Sequence, residues 1–159
     1  MGIVLITPEK CSNCHACELA CSFAHEREFN PARSRVTVVN GEGVQHTVPM
    51  MCLQCEEAGC MAVCPAKAVS EDRISGARLV NDLKCIKCRT CILVCPFGTS
   101  SYDEKGRKIL KCDLCCGDPQ CVKFCPSGAL AYGERSTINL ARRLETAGKL
   151  RATLQRARR

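Results

Sequence analysis

Sixteen of the seventeen cysteines in this chain fall into four runs of one design. The first is Cys11, Cys14, Cys17 and Cys21; the second is Cys52, Cys55, Cys60 and Cys64. The third is Cys85, Cys88, Cys91 and Cys95, and the fourth is Cys112, Cys115, Cys121 and Cys125. Each reads C-x2-C, a short gap, then C-x3-C, and in the last three runs Pro65, Pro96 or Pro126 follows the final cysteine. Thiolates at this spacing are ligands for 4Fe–4S clusters: three wrap one cubane and the fourth reaches its neighbour. Structural zinc sites pair two short knuckles across a longer stretch, with no third cysteine so near. Disulfides fit no better. The cysteine count is odd, and Met1–Pro8 lacks the charged leader and cleavage site of a secretory signal. A reducing, cytoplasmic compartment is therefore expected.

The spacing demands a tight loop for the first three cysteines of each run, with backbone N–H groups turned toward the cluster. A short helix should follow, with the fourth cysteine at its start and pointing the other way. Run one departs, having Ser22 where the others have proline. Cys116 is the odd thiol. Using it in place of Cys115 would break the C-x2-C opening shared by the other runs, so it is read as a non-ligand.

The segments between runs must supply the scaffold. They are 30, 20 and 16 residues long, at 22–51, 65–84 and 96–111. The middle one suits a hairpin-sized connection, which pairs run two with run three and leaves run one with run four. Serial pairing, one with two and three with four, remains open. Ser34–Val39 reads as a strand, Asn40–Gly43 as a turn and Val44–Met50 as the returning strand. Ala66–Val69 reads as a helical turn and Arg78–Leu83 as a strand. Ser100–Asp103 and Lys108–Leu110 flank a second hairpin turn.

Composition agrees that metal holds the fold together. Aromatic residues make up 4% of the chain, with no Trp, so an ordinary apolar core would be poor. Formal net charge is +7. Each filled site adds about −2, so four sites bring the total to about −1. A basic nucleic-acid-binding protein is thus not indicated, and the basic residues after 133 have no aromatic neighbour for base stacking. No apolar run approaches the length of a membrane span. A radical enzyme, which needs an open iron at a three-cysteine site, is disfavoured because every run keeps its fourth cysteine. His15, His25 and His46 read as surface histidines. Lys84, Lys87, Arg89 and Lys111, which flank the runs, read as solvated charges with a second role as tuners or docking groups.

Residues Cys95-Pro96-Phe97-Gly98, Lys111-Cys112-Asp113-Leu114-Cys115 and Cys125-Pro126-Ser127-Gly128-Ala129-Leu130 resemble the four-cluster ferredoxin-type subunits. These accompany molybdenum and tungsten oxidoreductases, formate dehydrogenases, hydrogenases and carbon monoxide dehydrogenase. The likeness covers residues 1–133. Among soluble members, the chain looks most like the small iron–sulfur subunit of tungsten aldehyde oxidoreductases. The resemblance implies an α+β fold of two ferredoxin-like two-cluster units, the second inserted in the first, with small β-hairpins and short helices. It implies four ligand sets: Cys11, Cys14, Cys17 and Cys125; Cys112, Cys115, Cys121 and Cys21; Cys52, Cys55, Cys60 and Cys95; Cys85, Cys88, Cys91 and Cys64. It implies no catalytic residues but an electron-transfer role beside a catalytic molybdenum or tungsten subunit, with a flavin or NAD reductase subunit as a further partner. A stand-alone polyferredoxin serving hydrogenase or carbon monoxide dehydrogenase is the alternative.

Residues 134–159 form the second expected part, with a helix predicted from Ser136 to the end of the chain. Leu140, Ala147 and Leu154 recur every seven residues, with basic residues on the other faces. Such a basic amphipathic helix would either pack its apolar stripe back on the body of the same chain or dock on a partner or on a second copy of the chain, joining copies head to tail.

Overall fold

The computed structural model describes residues 2–40 and 47–135. The C-terminal helix, His46 and most of the Asn40–Gly43 turn lie outside the described residues. In chain order the elements are β1 (Gly2–Ile6), α1 (Ala16–Glu26), β2 (Val36–Val39), β3 (Val48–Met51) and α2 (Gly59–Ala62). Then come β4 (Val69–Glu71), β5 (Arg78–Val80), α3 (Thr90–Leu93), β6 (Ser101–Asp103), β7 (Lys108–Leu110), α4 (Gln120–Lys123) and β8 (Leu130–Glu134). The strands make four antiparallel two-stranded ribbons. β2–β3, β4–β5 and β6–β7 are local, whereas β1 pairs with β8 from Gly2 opposite Glu134 to Ile6 opposite Leu130. α1 packs on α4, and α2 on α3.

The ribbons follow from alternation. In β2, Val36 and Val38 are buried while Thr37 and Val39 are exposed, the period of a half-buried strand. Apolar burial forms two small clusters. One joins Val36, Val38, Met51 and Leu130 to Cys17, Cys21 and Cys121; the other joins Val69 and Ile109 to Cys91. The cysteines themselves are thus part of the core.

Several elements differ from the sequence reading. The fourth cysteine of runs two to four does not open a helix. The third cysteine lies within the helix, and Cys64, Cys95 and Cys125 fall just beyond its end. A four-residue helix is too short to contain both members of a C-x3-C pair. In run one no proline stops the helix, so α1 carries both Cys17 and Cys21 and runs on to Glu26. In place of the helical turn at Ala66–Val69, residues 65–68 make a tight turn that leads into β4 at Val69. Lys67 has φ 48° and donates its N–H to the Cys64 carbonyl. The same turn recurs at Gly98 (φ 60°) and Gly128 (φ 64°), each bonded back to the cysteine three residues earlier. Glycine suits that left-handed position without strain; Lys67 does not. β5 stops at Val80 because the Asn81 side chain accepts from the N–H groups of Leu83 and Lys84. β2 begins at Val36 rather than Ser34, and β3 runs from Val48 to Met51.

A buried charge network ties the run-one helix to the β6–β7 ribbon. The Glu26 carboxylate, 4% exposed, pairs with Arg33 at 2.9 Å, Arg35 at 3.2 Å and Lys108 at 2.9 Å. Arg33 also reaches Asp103 at 2.7 Å. Burial pushes the Glu26 carboxyl up, but the Lys108 hydrogen bond and the three cations outweigh it and hold the group below its ordinary value. Its contribution is therefore complete above the unfolded carboxyl range and is lost as pH falls through the lower folded value. Replacing Glu26 with Gln should cost about 2 kcal/mol, between an exposed and a fully buried pair. The denaturant midpoint of the iron-loaded protein, measured anaerobically at pH 7, reads this. The gap from wild type should close toward pH 3.

Candidate metal centres

Three cavities are each lined by four of the run cysteines. The first contains Cys64, Cys85, Cys88 and Cys91. The second contains Cys52, Cys55, Cys60 and Cys95. The third contains Cys11, Cys14, Cys17 and Cys125. With the solvent at their mouths they enclose about 340, 420 and 290 Å³, a similar room in each. Of the remaining four, Cys121 is an electrostatic neighbour of Cys21, Cys112 and Cys115, and Cys21 is also a neighbour of Cys112 and Cys115.

The groups also follow one another in space. Cys121 feels Cys17, Cys112 feels Cys52, and Cys91 feels Cys60. Burial pushes the Cys17 thiol up to about 12, with Glu18 adding to it. Burial likewise pushes Cys112 to about 12 and raises Cys121 and Cys115. These thiols hold their protons at neutral pH until a metal displaces them. At the outer groups Cys14 and Cys88 are exposed.

The loops suit an anionic cluster. Asn13, Gln54, Lys87 and Leu114 each immediately precede the second cysteine of a run, and each has φ between 50° and 61°. Four non-glycine residues in the left-handed region at one repeated position are uncommon. Such a residue turns successive backbone N–H groups to one side of a tight loop, the concavity that receives iron–sulfur and phosphate anions. Donor set and backbone therefore fit 4Fe–4S clusters. Cys116 (φ 57°) occupies the place of His15 (φ 56°) and Arg89 (φ 62°), one residue after the second cysteine, and is exposed.

Side chains from distant segments fix these loops. Gln54 is fully buried; its Nε2 donates to the Cys112 carbonyl at 2.9 Å, and its Oε1 accepts from the Arg78 N–H at 2.8 Å. Arg78, 3% exposed, donates to the carbonyls of Cys55 and Glu56. Glu18, also buried, accepts from the Val38 N–H at 2.6 Å and meets His15 Nδ1 at 2.7 Å. Hydroxyls touch sulfur as well: Thr90 donates to Cys88 at 3.3 Å, and Thr99 lies 3.6 Å from Cys95.

Two expectations of solvated side chains fail. His25 is half-buried, with Nε2 3.5 Å from Cys115 Sγ and 3.4 Å from Asp113. Burial lowers its pKa, Asp113 opposing. Lys111 is 5% exposed, and its Nζ donates to Cys52 Sγ at 2.8 Å. His15 is 42% exposed, Lys84 is exposed, and Lys87 and Arg89 make outer ion pairs with Asp82 and Glu104.

Residues 44–135 match the family described as 4Fe-4S dicluster domain. The chain is 42% identical over 124 residues to the aliphatic sulfonate oxidoreductase, polyferredoxin-like subunit, of Pyrococcus furiosus, covering 76% of this chain and 69% of that one. It is 36% identical over 131 residues to the NADH-dependent phenylglyoxylate dehydrogenase subunit beta of Aromatoleum evansii. That match covers 81% of this chain but 29% of the longer protein. Among solved structures, a chain of the active site complex BamBC of benzoyl coenzyme A reductase with benzoyl-CoA superposes with a TM-score of 0.51. It is 29% identical, covering 98% of this chain and 97% of that one.

Proposed function

We propose that this chain, which belongs to the 4Fe-4S dicluster domain family, is the electron-transfer subunit of an oxidoreductase complex and holds four 4Fe–4S clusters. The observation that carries the reading is the convergence of sixteen cysteines into four neighbouring groups, three of them around cavities of similar size. Each cluster, when bound, supplies one-electron transfer at a potential set by its surroundings.

The chain's own residues do the rest. The ligand sets are Cys11, Cys14, Cys17 with Cys125; Cys112, Cys115, Cys121 with Cys21; Cys52, Cys55, Cys60 with Cys95; and Cys85, Cys88, Cys91 with Cys64. Their exchange of fourth cysteines is supported by the packing of α1 on α4 and of α2 on α3. It makes run two and run three one unit, set within a unit of run one and run four; β1 closing on β8 supports that nesting. Gln54 and Arg78 hold the second run against the fourth, which keeps the two inner sites at a fixed separation. The exposed thiols Cys14 and Cys88 place the outer sites against solvent, where partners can approach.

The relatives suggest the partner. One is named a subunit of an aliphatic sulfonate oxidoreductase and another of a phenylglyoxylate dehydrogenase. We assign this chain to a complex of that kind, with the chemistry on a separate catalytic subunit; that this subunit is of the molybdenum or tungsten type rests on the motif resemblance at residues 95–98, 111–115 and 125–130.

Iron and acid-labile sulfide analysis of anaerobically reconstituted protein tests the assignment. About sixteen of each per chain are expected from four cubanes. Values near eight would leave two sites unfilled, and zinc in their place would refute electron transfer.

A further inference from the structure

Lys111 breaks the usual rule for its residue type. Lysine is almost never fully buried unless paired, yet this side chain is 5% exposed. Among the described residues it is the only buried lysine, and the partner of its ammonium is a cysteine sulfur, Cys52 Sγ at 2.8 Å. It lines the cavity of Cys52, Cys55, Cys60 and Cys95. The next residue is Cys112, a member of the neighbouring inner group and itself an electrostatic neighbour of Cys52. The cation therefore stands at the seam between two sites that become anionic when filled.

We infer that Lys111 is a positioning residue that raises the reduction potential of the cluster site formed by Cys52, Cys55, Cys60 and Cys95. Reduction adds one negative charge there. A buried ammonium bonded to a ligand sulfur stabilises that charge with little solvent screening, and hydrogen bonds and net charge at the sulfurs are the levers that set such potentials. The outer cations Lys87 and Arg89 are spent on Asp82 and Glu104 and approach no ligand sulfur in this way. Among the described residues, the other side chains within hydrogen-bonding reach of a run sulfur are Thr90, Thr99, Ser127 and His25; none brings a buried lysine charge. One inner site is thus set apart from the outer ones as the place where an added electron rests.

The inference depends on the ligand assignment above, and potentiometry of the anaerobically loaded full chain, followed by EPR, separates the two. Lys111→Met removes both charge and donor. With iron content unchanged, one midpoint should fall, so that the reduced-to-oxidised ratio of that cluster at fixed potential drops at least tenfold, about 59 mV for one electron. Lys111→Gln keeps an N–H donor without the charge and should fall similarly; Lys111→Arg should recover most of the wild-type value. If Lys111→Met loads poorly, Lys111→Gln carries the measurement. Unmoved midpoints in either fully loaded neutral variant overturn the inference, as does Lys111→Arg falling as far as Lys111→Met. Loss of a cluster from both neutral variants overturns it too, because Lys111 would then hold the cluster and not tune it. Wild-type protein lacking the iron for this site overturns the ligand assignment along with it, whereas full iron with an unmoved midpoint overturns the tuning alone.

Discussion

Removal of iron and sulfide should abolish the cooperative fold of this protein. Every sheet among the described residues has two strands, and an isolated two-stranded ribbon is marginal in water. Among the described residues, three of the four α-helices have four residues, far below the length at which a helix stands by itself. The buried apolar clusters are small, and cysteines belong to both. Without clusters, the cavities at their centres lose the covalent ties that hold four loops together, and small metal-dependent domains fold only with their metal. Chelator-stripped protein, kept reduced, should lose most of its far-ultraviolet circular dichroism and melt without a sigmoidal transition. A native-like cooperative melt would show that apolar packing suffices.

The second large effect concerns a single cysteine far along the chain. Cys125→Ala should empty or convert the site of Cys11, Cys14 and Cys17, more than 100 residues away in sequence, and spare the site of Cys85, Cys88 and Cys91. Cys125 lines the same cavity as the run-one cysteines. Hydrogen bonds from the Leu130 backbone and the Ser127 hydroxyl overcome its burial and hold its thiol low, which favours the thiolate a ligand must be. Loss of about four iron atoms, or a three-iron EPR signal, should accompany the variant. Pairing in serial order predicts damage at the run-three site instead, so Cys64→Ala, which should damage only that site, is the matched control. If Cys125→Ala keeps full iron and all four reduction midpoints, the crossed arrangement is wrong.

The parts of this molecule that were legible in the sequence are those governed by covalent spacing. Four cysteine runs announce their chemistry because few other uses need thiols at fixed short intervals. The β6–β7 ribbon was legible from two short strands around Glu104–Arg107, and β2 from its alternating valines. What stayed hidden depends on distance in space. Arg78 looks like any strand-end charge until the fold sets it under the carbonyls of Cys55 and Glu56. Glu26, Arg33, Asp103 and Lys108 carry no mark of a shared network, since 70 or more residues separate the Arg33–Asp103 and Glu26–Lys108 pairs. Lys111 and His25 read as surface groups because pattern shows side-chain type and not depth. The turn at Ala66–Val69 was misread because alanine and lysine favour helices; the proline before them and the left-handed Lys67 decide otherwise.

The pairing of β1 with β8 sets the timing of biogenesis. Gly2–Ile6 is made before the other described elements, but its partner, Leu130–Glu134, appears only after the whole stretch from Thr7 to Ala129 has been made. At ordinary elongation rates that interval is on the order of ten seconds. Meanwhile the local ribbons can form as they emerge, whereas β1 keeps an open edge and the cavity of Cys11, Cys14 and Cys17 stays incomplete until Cys125 arrives. A nascent polypeptide in that condition is exposed to oxidation and to stray metals. Cells making it in quantity should gain from oxygen exclusion and from helpers that shield β1 until β8 is made.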